Sequence, residues 1–534
     1  MEFQWPPGGI ALAAASICII SIRYFLATRR PKNFPPGPPT LPGIGNLHQI
    51  PLKQPFLKFT EWSKTYGNIL GLKIGSANFV VINDPLLMHE MFSKRGIVYS
   101  GRQIGYIADV VMQEHSKIHL LNMPYGPELR RWRTAAMDLF NAQGQKTTKP
   151  LLEATSATLS MKMLNTSPGN NLEYLKQWAL ATPLLAITGQ RLVDRGKTFI
   201  DRFFKAQTTW LDLLTPGTAP PVDLFPFLKW LPESLAKWKT NAKIVRSYMI
   251  EEYSSYLKSA QSIRDKNASA ASTKVTCLMA KVLDSEKTEK KDATAPFSDD
   301  EAAWFGGVLL DAAVDTTWST INALILFLAA HPHVQEKVYR ELDSLCSDTP
   351  PPSHSIGELK YLRACYLESI RLRPAAPTGL ARIVVQDDVI NGYFIPKGTT
   401  VLANVWALQH NPKDYDNPAD FVPERYIHHP LGLKDGVSSE GRKASYVFGS
   451  GRRMCTGEQF AESAIILAVA KLLWAYEIVP VDTLDLRVDT GFHTGILLGP
   501  RAFKVNFMLR DAKKKEGILQ DYRETRAHWV EVDT

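Results

Sequence analysis

The sequence predicts a mostly α-helical protein with a small β lobe, and three observations carry that expectation. The first is one very long helical pattern. Ser298 and Glu301 form a capping box, Asp299 and Asp300 favour the N-terminal end of the dipole, and the pattern runs to about Ala330, where His331-Pro332 stops it. At ~1.5 Å per residue this helix is close to 50 Å long, enough to cross a whole domain. It is apolar nearly all round (Trp304, Phe305, Val308, Leu309, Leu324, Leu326) and is therefore expected to be buried. The second is the pair of segments Ile69–Ile82 and Val384–Leu402, which alternate and carry β-branched residues as strands do; Asn391-Gly392 between apolar runs is a hairpin signal. The third is that helical periodicity dominates elsewhere, including Tyr361–Leu372 and Thr456–Trp474. Residues 265–296, rich in Lys, Ala, Ser, Thr and Asp, read partly as an exposed loop.

With 534 residues and 45% hydrophobic content the chain can bury a large core, and it is too apolar to be disordered. No 20–50-residue period points to a solenoid or propeller. The formal net charge of +9 suits acidic lipid or an acidic protein partner. Nucleic acid is not expected, because no basic run is interleaved with stacking aromatics. The five cysteines, Cys18, Cys277, Cys346, Cys365 and Cys455, are odd in number and contain no CxxC pair, against a zinc ribbon or a disulfide framework.

The N-terminus reads as an uncleaved membrane anchor. Gly8–Ile22 is uncharged; Arg23 follows, then Arg29, Arg30 and Lys32. A span of about 20 apolar residues is reached if Arg23 snorkels to the headgroups. A signal peptide would carry its cations before the apolar stretch, and here they all follow, which places the rest of the chain in the cytosol. Pro35-Pro36-Gly37-Pro38-Pro39 reads as a short rigid spacer. The expected organisation is an anchor over residues 1–30, a proline-rich hinge over 31–45, a catalytic body over 46–510 and a charged tail over 511–534, in which the cluster Lys513-Lys514-Lys515 is simply solvated.

The strongest chemical signal is Phe448-Gly449-Ser450-Gly451-Arg452-Arg453-Met454-Cys455-Thr456-Gly457. Its glycines allow tight turning and close approach to a flat ligand. Cys455 precedes an apolar helix whose N-terminal end favours a thiolate, and Arg453 adds positive charge beside it. A buried inert cysteine is the bland alternative, and the Gly-rich flanks argue against it. No phosphate-loop GxxxxGK[ST] pattern is present.

Phe448, Gly451, Arg453, Cys455 and Gly457 fill the five fixed positions of Phe-x-x-Gly-x-Arg-x-Cys-x-Gly, and in this the sequence resembles the cytochrome P-450 superfamily. The resemblance implies that fold around a buried haem b, with Cys455 as axial ligand and Phe448 and Arg453 on the thiolate side. It extends over almost the whole chain. Ala312-Ala313-Val314-Asp315-Thr316-Thr317 is similar to the family's oxygen-activation motif, with Ala313 where Gly is usual; there Asp315 and Thr316 would pass protons to dioxygen. The bland reading is a hydroxyl of Thr316 bonded to the carbonyl of Ala312. Glu368 and Arg371 match the family's ExxR, completed by Arg425 in Pro423-Glu424-Arg425-Tyr426, and imply a buried structural network. Arg133, in Leu129-Arg130-Arg131-Trp132-Arg133, and Arg382 match propionate-binding arginines, with Leu129 where the family usually has Trp.

The function so implied is monooxygenation of a hydrophobic small molecule by O2, as in fungal enzymes of secondary metabolism. Electrons would come from NADPH through a separate reductase, since the chain has no Gly-x-Gly-x-x-Gly dinucleotide motif of its own. The implied location is the endoplasmic reticulum membrane, single-pass. The expected pocket runs along Phe305–Val314, Ala375–Ala381 and Gly491–Ile496. The alternatives are a haem-thiolate isomerase or dehydratase that needs no reductase, or a haem-binding protein without turnover. Coupled NADPH consumption separates them.

Overall fold

The computed structural model describes residues 7–137, 142–164, 171–269, 277–284 and 297–530. Helix α1 (Pro7–Ala27) precedes the hinge, and α2 (Pro55–Tyr66) leads into β1 (Ile69–Ile74) and β2 (Ala77–Ile82). Then come α3 (Pro85–Met88), α4 (Tyr106–Met112), α5 (Pro127–Met137), α6 (Ala142–Met163), α7 (Asn171–Thr188), α8 (Leu192–Leu214), α9 (Lys237–Ser269) and α10 (Leu278–Asp284). The central helices are α11 (Asp299–Ala330), α12 (Pro332–Leu345) and α13 (Lys360–Leu372). Short strands β3 (Arg382–Ile383), β4 (Asp388–Ile390), β5 (Tyr393–Ile395) and β6 (Thr400–Ala403) follow, then α14 (Val405–Gln409), α15 (Glu424–His428) and α16 (Glu458–Ala475). The chain ends with β7 (Tyr476–Pro480), β8 (Phe492–Thr494), β9 (Leu498–Pro500), β10 (Val505–Leu509) and α17 (Lys514–Val530).

The capping box exists as read from sequence: Glu301 N–H donates to Ser298 Oγ at 3.2 Å and Ser298 N–H to Glu301 Oε2 at 2.8 Å. α11 threads two hydrophobic clusters. Its N-terminal half packs with α4, α5, α8, α9 and α10, and its C-terminal half with α6, α7, α12, α13 and α16. Among the described residues α11 is the helix long and apolar enough to cross a membrane, but it is mostly buried in the fold and is a core helix.

The β lobe is a four-stranded sheet of order β1-β2-β6-β3, with β1 antiparallel to β2 in the register Ile69↔Ile82 and β2 parallel to β6. The expected second strand, Val384–Leu402, is three short strands, β4, β5 and β6, with β3 just before it. Asn391 and Gly392 turn β4 into β5 with φ of 49° and 81°, the left-handed pair a two-residue hairpin needs.

One sequence expectation is tested in part and another is corrected. Residues 265–296 are not uniformly loop: α9 continues to Ser269, and Leu278–Asp284 is a helix whose Leu278, Met279, Val282 and Leu283 are buried in the core. Residues 270–276 and 285–296 lie outside the described residues. The tail is not wholly a solvated extension: Lys513 and Lys515 are exposed as expected, but the helix itself packs on the body. α17 lies on α6 and α16, Ile518 is buried, and Lys514 stands 4.1 Å over the Trp474 ring while its Nζ donates to Ser347 O at 3.0 Å. Lys471 of α16, buried in the core, donates to both oxygens of Asp521 at 2.6 Å. Charge on a helix face hid a partner waiting across the interface.

The hinge is tied to the body: Arg30 Nη1 donates to Gly37 O at 2.8 Å and Gly71 N–H to Pro36 O at 2.8 Å. The backbones cross so closely that a Cβ at Gly71 would sit 2.2 Å from Pro35 O. Along α1 the side chains of Leu12, Ile19, Ile22, Phe25 and Leu26 are exposed.

Candidate active site

Between the two clusters, residues 311–318 of α11 lose their packing. Ala312 is exposed and every other residue in the stretch except Val314 is only partly buried, in a helix otherwise sealed into the core. Accessible surface in mid-core means a cleft. The pocket expectation is narrowed accordingly: within Phe305–Val314, Phe305, Val308 and Leu310 face the hydrophobic cluster, and it is the Ala312 side of the helix that opens.

The Cys455 loop is built by close backbone approach. Gly451 has φ 63°, and a Cβ there would lie 1.8 Å from Phe92 O. Any side chain would push the loop off the segment beneath it. Cys455 N–H donates to Phe448 O at 2.8 Å, and Gly457, at the N-cap of α16, donates its N–H to Cys455 Sγ at 3.3 Å. Cys455 is accessible, yet the enclosing protein desolvates it and pushes the thiol pKa up, against the lowering by the Gly457 N–H and Arg133. The cation acting on the sulfur is thus Arg133, reaching over from α5, and not the neighbouring Arg453 expected from sequence. Arg453 points away: its Nε donates to Ser100 O at 2.9 Å and its Nη2 to Met123 O.

Four arginines gather here. Arg133 Nη2 donates to Met454 O at 2.8 Å, Arg382 Nη2 to Ser450 O at 2.7 Å, and Arg102 to the carbonyls of Leu380 and Ala381. The hydrogen bonds of the four go to neutral carbonyls. Burial pushes Arg382 down to about 9, with repulsion from Arg102, Arg453 and Arg133 adding; it takes Arg453 down to about 9 and Arg102 down to about 10. Arg382 Nη1 is buried without a hydrogen-bond partner. Uncompensated cations at this density call for anions. Two carboxylates of a flat ligand, with a metal over Cys455, fit that need. Arg102 was missed in the sequence because a single arginine carries no pattern.

The structural triad is fully formed. Arg371 Nε and Nη2 donate to Glu368 Oε2 and Oε1 at 2.7 and 2.8 Å, and Arg425 Nε donates to Oε1 at 3.0 Å. Glu368 and Arg371 are 0% exposed, and Arg371 also holds the carbonyls of Gln409, Pro418 and Asp420. The network therefore ties α13 to the meander leading to the Cys455 loop. Tyr426 uses its extra hydroxyl to donate to Ala444 O at 3.0 Å. Trp132 is buried in the core, its Nε1 donating to Glu128 Oε1 at 2.7 Å, so it takes no part in the arginine cluster.

On α11, Thr316 Oγ1 donates to Ala312 O at 2.8 Å, so the bland bond is present; the oxygen keeps its lone pairs as acceptors. Asp315 accepts no hydrogen bond from the described residues. Burial pushes it up to about 6 against the opposing pull of Lys176 on α7, a cation the sequence did not single out.

The comparisons agree with this geometry. The Cytochrome P450 family matches residues 35–507. A cytochrome P450 monooxygenase from Penicillium sp, grgG, is 34% identical over 95% of this chain and 93% of its own length; one from Aspergillus niger, yanC, is 32% identical over 96% of each. A zebrafish cytochrome P450 solved with progesterone shares the fold with a TM-score of 0.70 at 22% identity, over 85% of this chain and 99% of that one. A thiolate-bearing loop, an unsatisfied arginine cluster and full-length similarity converge: this chain belongs to the cytochrome P450 family and is a haem b-dependent monooxygenase.

Proposed function

We propose that the protein is a membrane-anchored monooxygenase that inserts one oxygen atom of O2 into a hydrophobic small molecule of fungal secondary metabolism. The reaction is R–H + O2 + two electrons + two protons giving R–OH + H2O, with electrons from NADPH through a separate reductase. The observation that carries this reading is the cleft itself: an accessible stretch of α11 bearing Asp315 and Thr316, in a fold whose Cys455 loop is ringed by arginines that meet carbonyls rather than carboxylates.

Bound haem supplies a thiolate-ligated iron at which dioxygen is reduced and split. Cys455 supplies the thiolate, and the N–H of Gly457 steadies its charge. Arg133, Arg382 and Arg453, with Arg102, hold the propionates. Phe448 holds the Cys455 backbone through its carbonyl, and Gly451 lets the loop lie close against Phe92. Asp315 and Thr316, on the open side of α11, would hold and pass protons to dioxygen. Glu368, Arg371 and Arg425 fix the loop from behind. α1, 21 residues with exposed apolar side chains, supports anchoring residues 1–30 in the endoplasmic reticulum membrane, with the catalytic body in the cytosol.

The test is reconstitution of the full chain with a fungal NADPH reductase against a library of apolar metabolites. Product formed in step with NADPH consumption supports the reading. Product formed without NADPH or O2 would replace it with an isomerase or dehydratase.

A further inference from the structure

α11 carries a second buried carboxyl one turn before Asp315. Side chains four residues apart share a helix face, with roughly 5–6 Å between their Cβ atoms. Asp311 Oδ2 accepts a hydrogen bond from the Tyr253 hydroxyl of α9 at 2.5 Å. Its Oδ1 is buried with no partner. Gln207 Nε2 of α8 is buried and unpartnered as well, and the buried hydroxyls of Tyr248 and Tyr256 on α9 approach one another without reaching hydrogen-bond geometry. Gln207 stands close enough to favour the charged form of Asp311, yet its Nε2 falls short of hydrogen-bond geometry. Four unsatisfied polar atoms in one seam between α8, α9 and α11 exceed what a folded core leaves dry, and ordered water satisfies such groups.

The charges around the pair are few. Tyr248, Tyr253, Tyr256 and Glu252 face it from α9, and Arg195 from α8 is committed to Glu252 at 2.5 Å. Lys176 of α7 acts on Asp315. Two carboxyls with one uncommitted cation cannot both ionise at low cost.

Accepting the proton-relay reading of Asp315 and Thr316, we propose that Asp311 is a positioning residue for proton delivery, sharing one proton with Asp315 across the turn of α11. Tyr253 occupies Oδ2, so Oδ1 carries the proton. In each cycle Asp311 gives that proton to the Asp315 carboxylate, directly or through a seam water, and regains one from solvent; no electron moves. Tyr253 keeps its own proton, since burial holds its hydroxyl pKa far above the ordinary value. Burial pushes Asp311 up to about 7, with the charge of Asp315 adding to the effect, so the pair holds its proton through the neutral range.

The test needs no known substrate. The substrate-free holoenzyme is reduced under O2, and the split between hydrogen peroxide and water is followed against pH. The wild type should turn towards peroxide as pH rises past about 7, where Asp311 empties. Asp311→Asn keeps the volume and the Tyr253 bond but holds no acidic proton; the turn should move to lower pH, leaving Asp315 without its reservoir. Asp311→Glu should restore the wild-type midpoint. An Asp311→Asn profile that overlays the wild type, or that rises uniformly without moving its midpoint, overturns the proposal. Asp315→Asn that leaves the split unchanged overturns the relay reading itself. An infrared titration of the protonated carboxyl in Asp315→Asn gives a readout independent of turnover: the Asp311 midpoint must fall once the neighbouring charge is gone, and an unmoved midpoint overturns the pairing.

Discussion

Replacing Asp521 by alanine should destabilise the haem-binding body from a position in the C-terminal tail. Lys471 lies on α16, the helix that follows Cys455, and its side chain is 1% exposed. It donates to both oxygens of Asp521, at 2.6 Å each. Removing one partner of a buried pair strands the other charge, at about 3–5 kcal/mol. Asp521 is 15% exposed, so water can reach the gap once the carboxylate is gone, and the lower end, about 3 kcal/mol, is expected. The assay is urea unfolding of the holoprotein followed by haem absorbance beside far-ultraviolet circular dichroism. Lys471→Met in the same chain should recover most of the loss, because an apolar side chain of similar length needs no counter-charge. A destabilisation under about 1 kcal/mol, the range of a surface pair, would refute the argument, as would a double variant no better than the single one.

Glu368→Gln should prevent stable haem incorporation, because two buried guanidinium groups lose their carboxylate; normal haem occupancy in the purified variant would show the network to be dispensable. Arg382→Leu should speed haem transfer to a scavenging protein by roughly 10–100-fold, one charge-assisted hydrogen bond's worth, while the apoprotein gains from relieved repulsion; an unchanged transfer rate would remove Arg382 from the haem site. Thr316→Ala should lower product per NADPH by about 100-fold, the low end for general acid catalysis, with peroxide rising and haem binding kept; unchanged coupling would leave its hydroxyl only the bond to Ala312. Deleting residues 1–30 should release much of the protein from membranes with haem still bound, read by fractionation and the carbon monoxide spectrum; full membrane retention would refute α1 as the main anchor.

Local signals in the sequence determined a great deal. The capping box at Ser298, the Asn391-Gly392 turn and the spacing around Cys455 each depend on neighbours within a few residues, so they can be read before any folding is known. The same holds for Glu368 and Arg371, three apart on one helix. Only the tertiary structure decided which distant charges meet. Arg102, Arg133, Arg382 and Arg453 lie on separate segments and carry no shared pattern, yet they converge because the Cys455 loop folds down onto Phe92 and Ser100. The tail read as solvent-facing because α17 is charged, and its partner, Lys471, sits inside an otherwise apolar run on α16. Asp311 escaped for a related reason: one acid in a buried helix has no meaning until Tyr253 and Gln207 arrive from α9 and α8. Periodicity reports which face of a helix is wet or dry, but the energy of a buried charge depends on what stands opposite it, and that is set by packing.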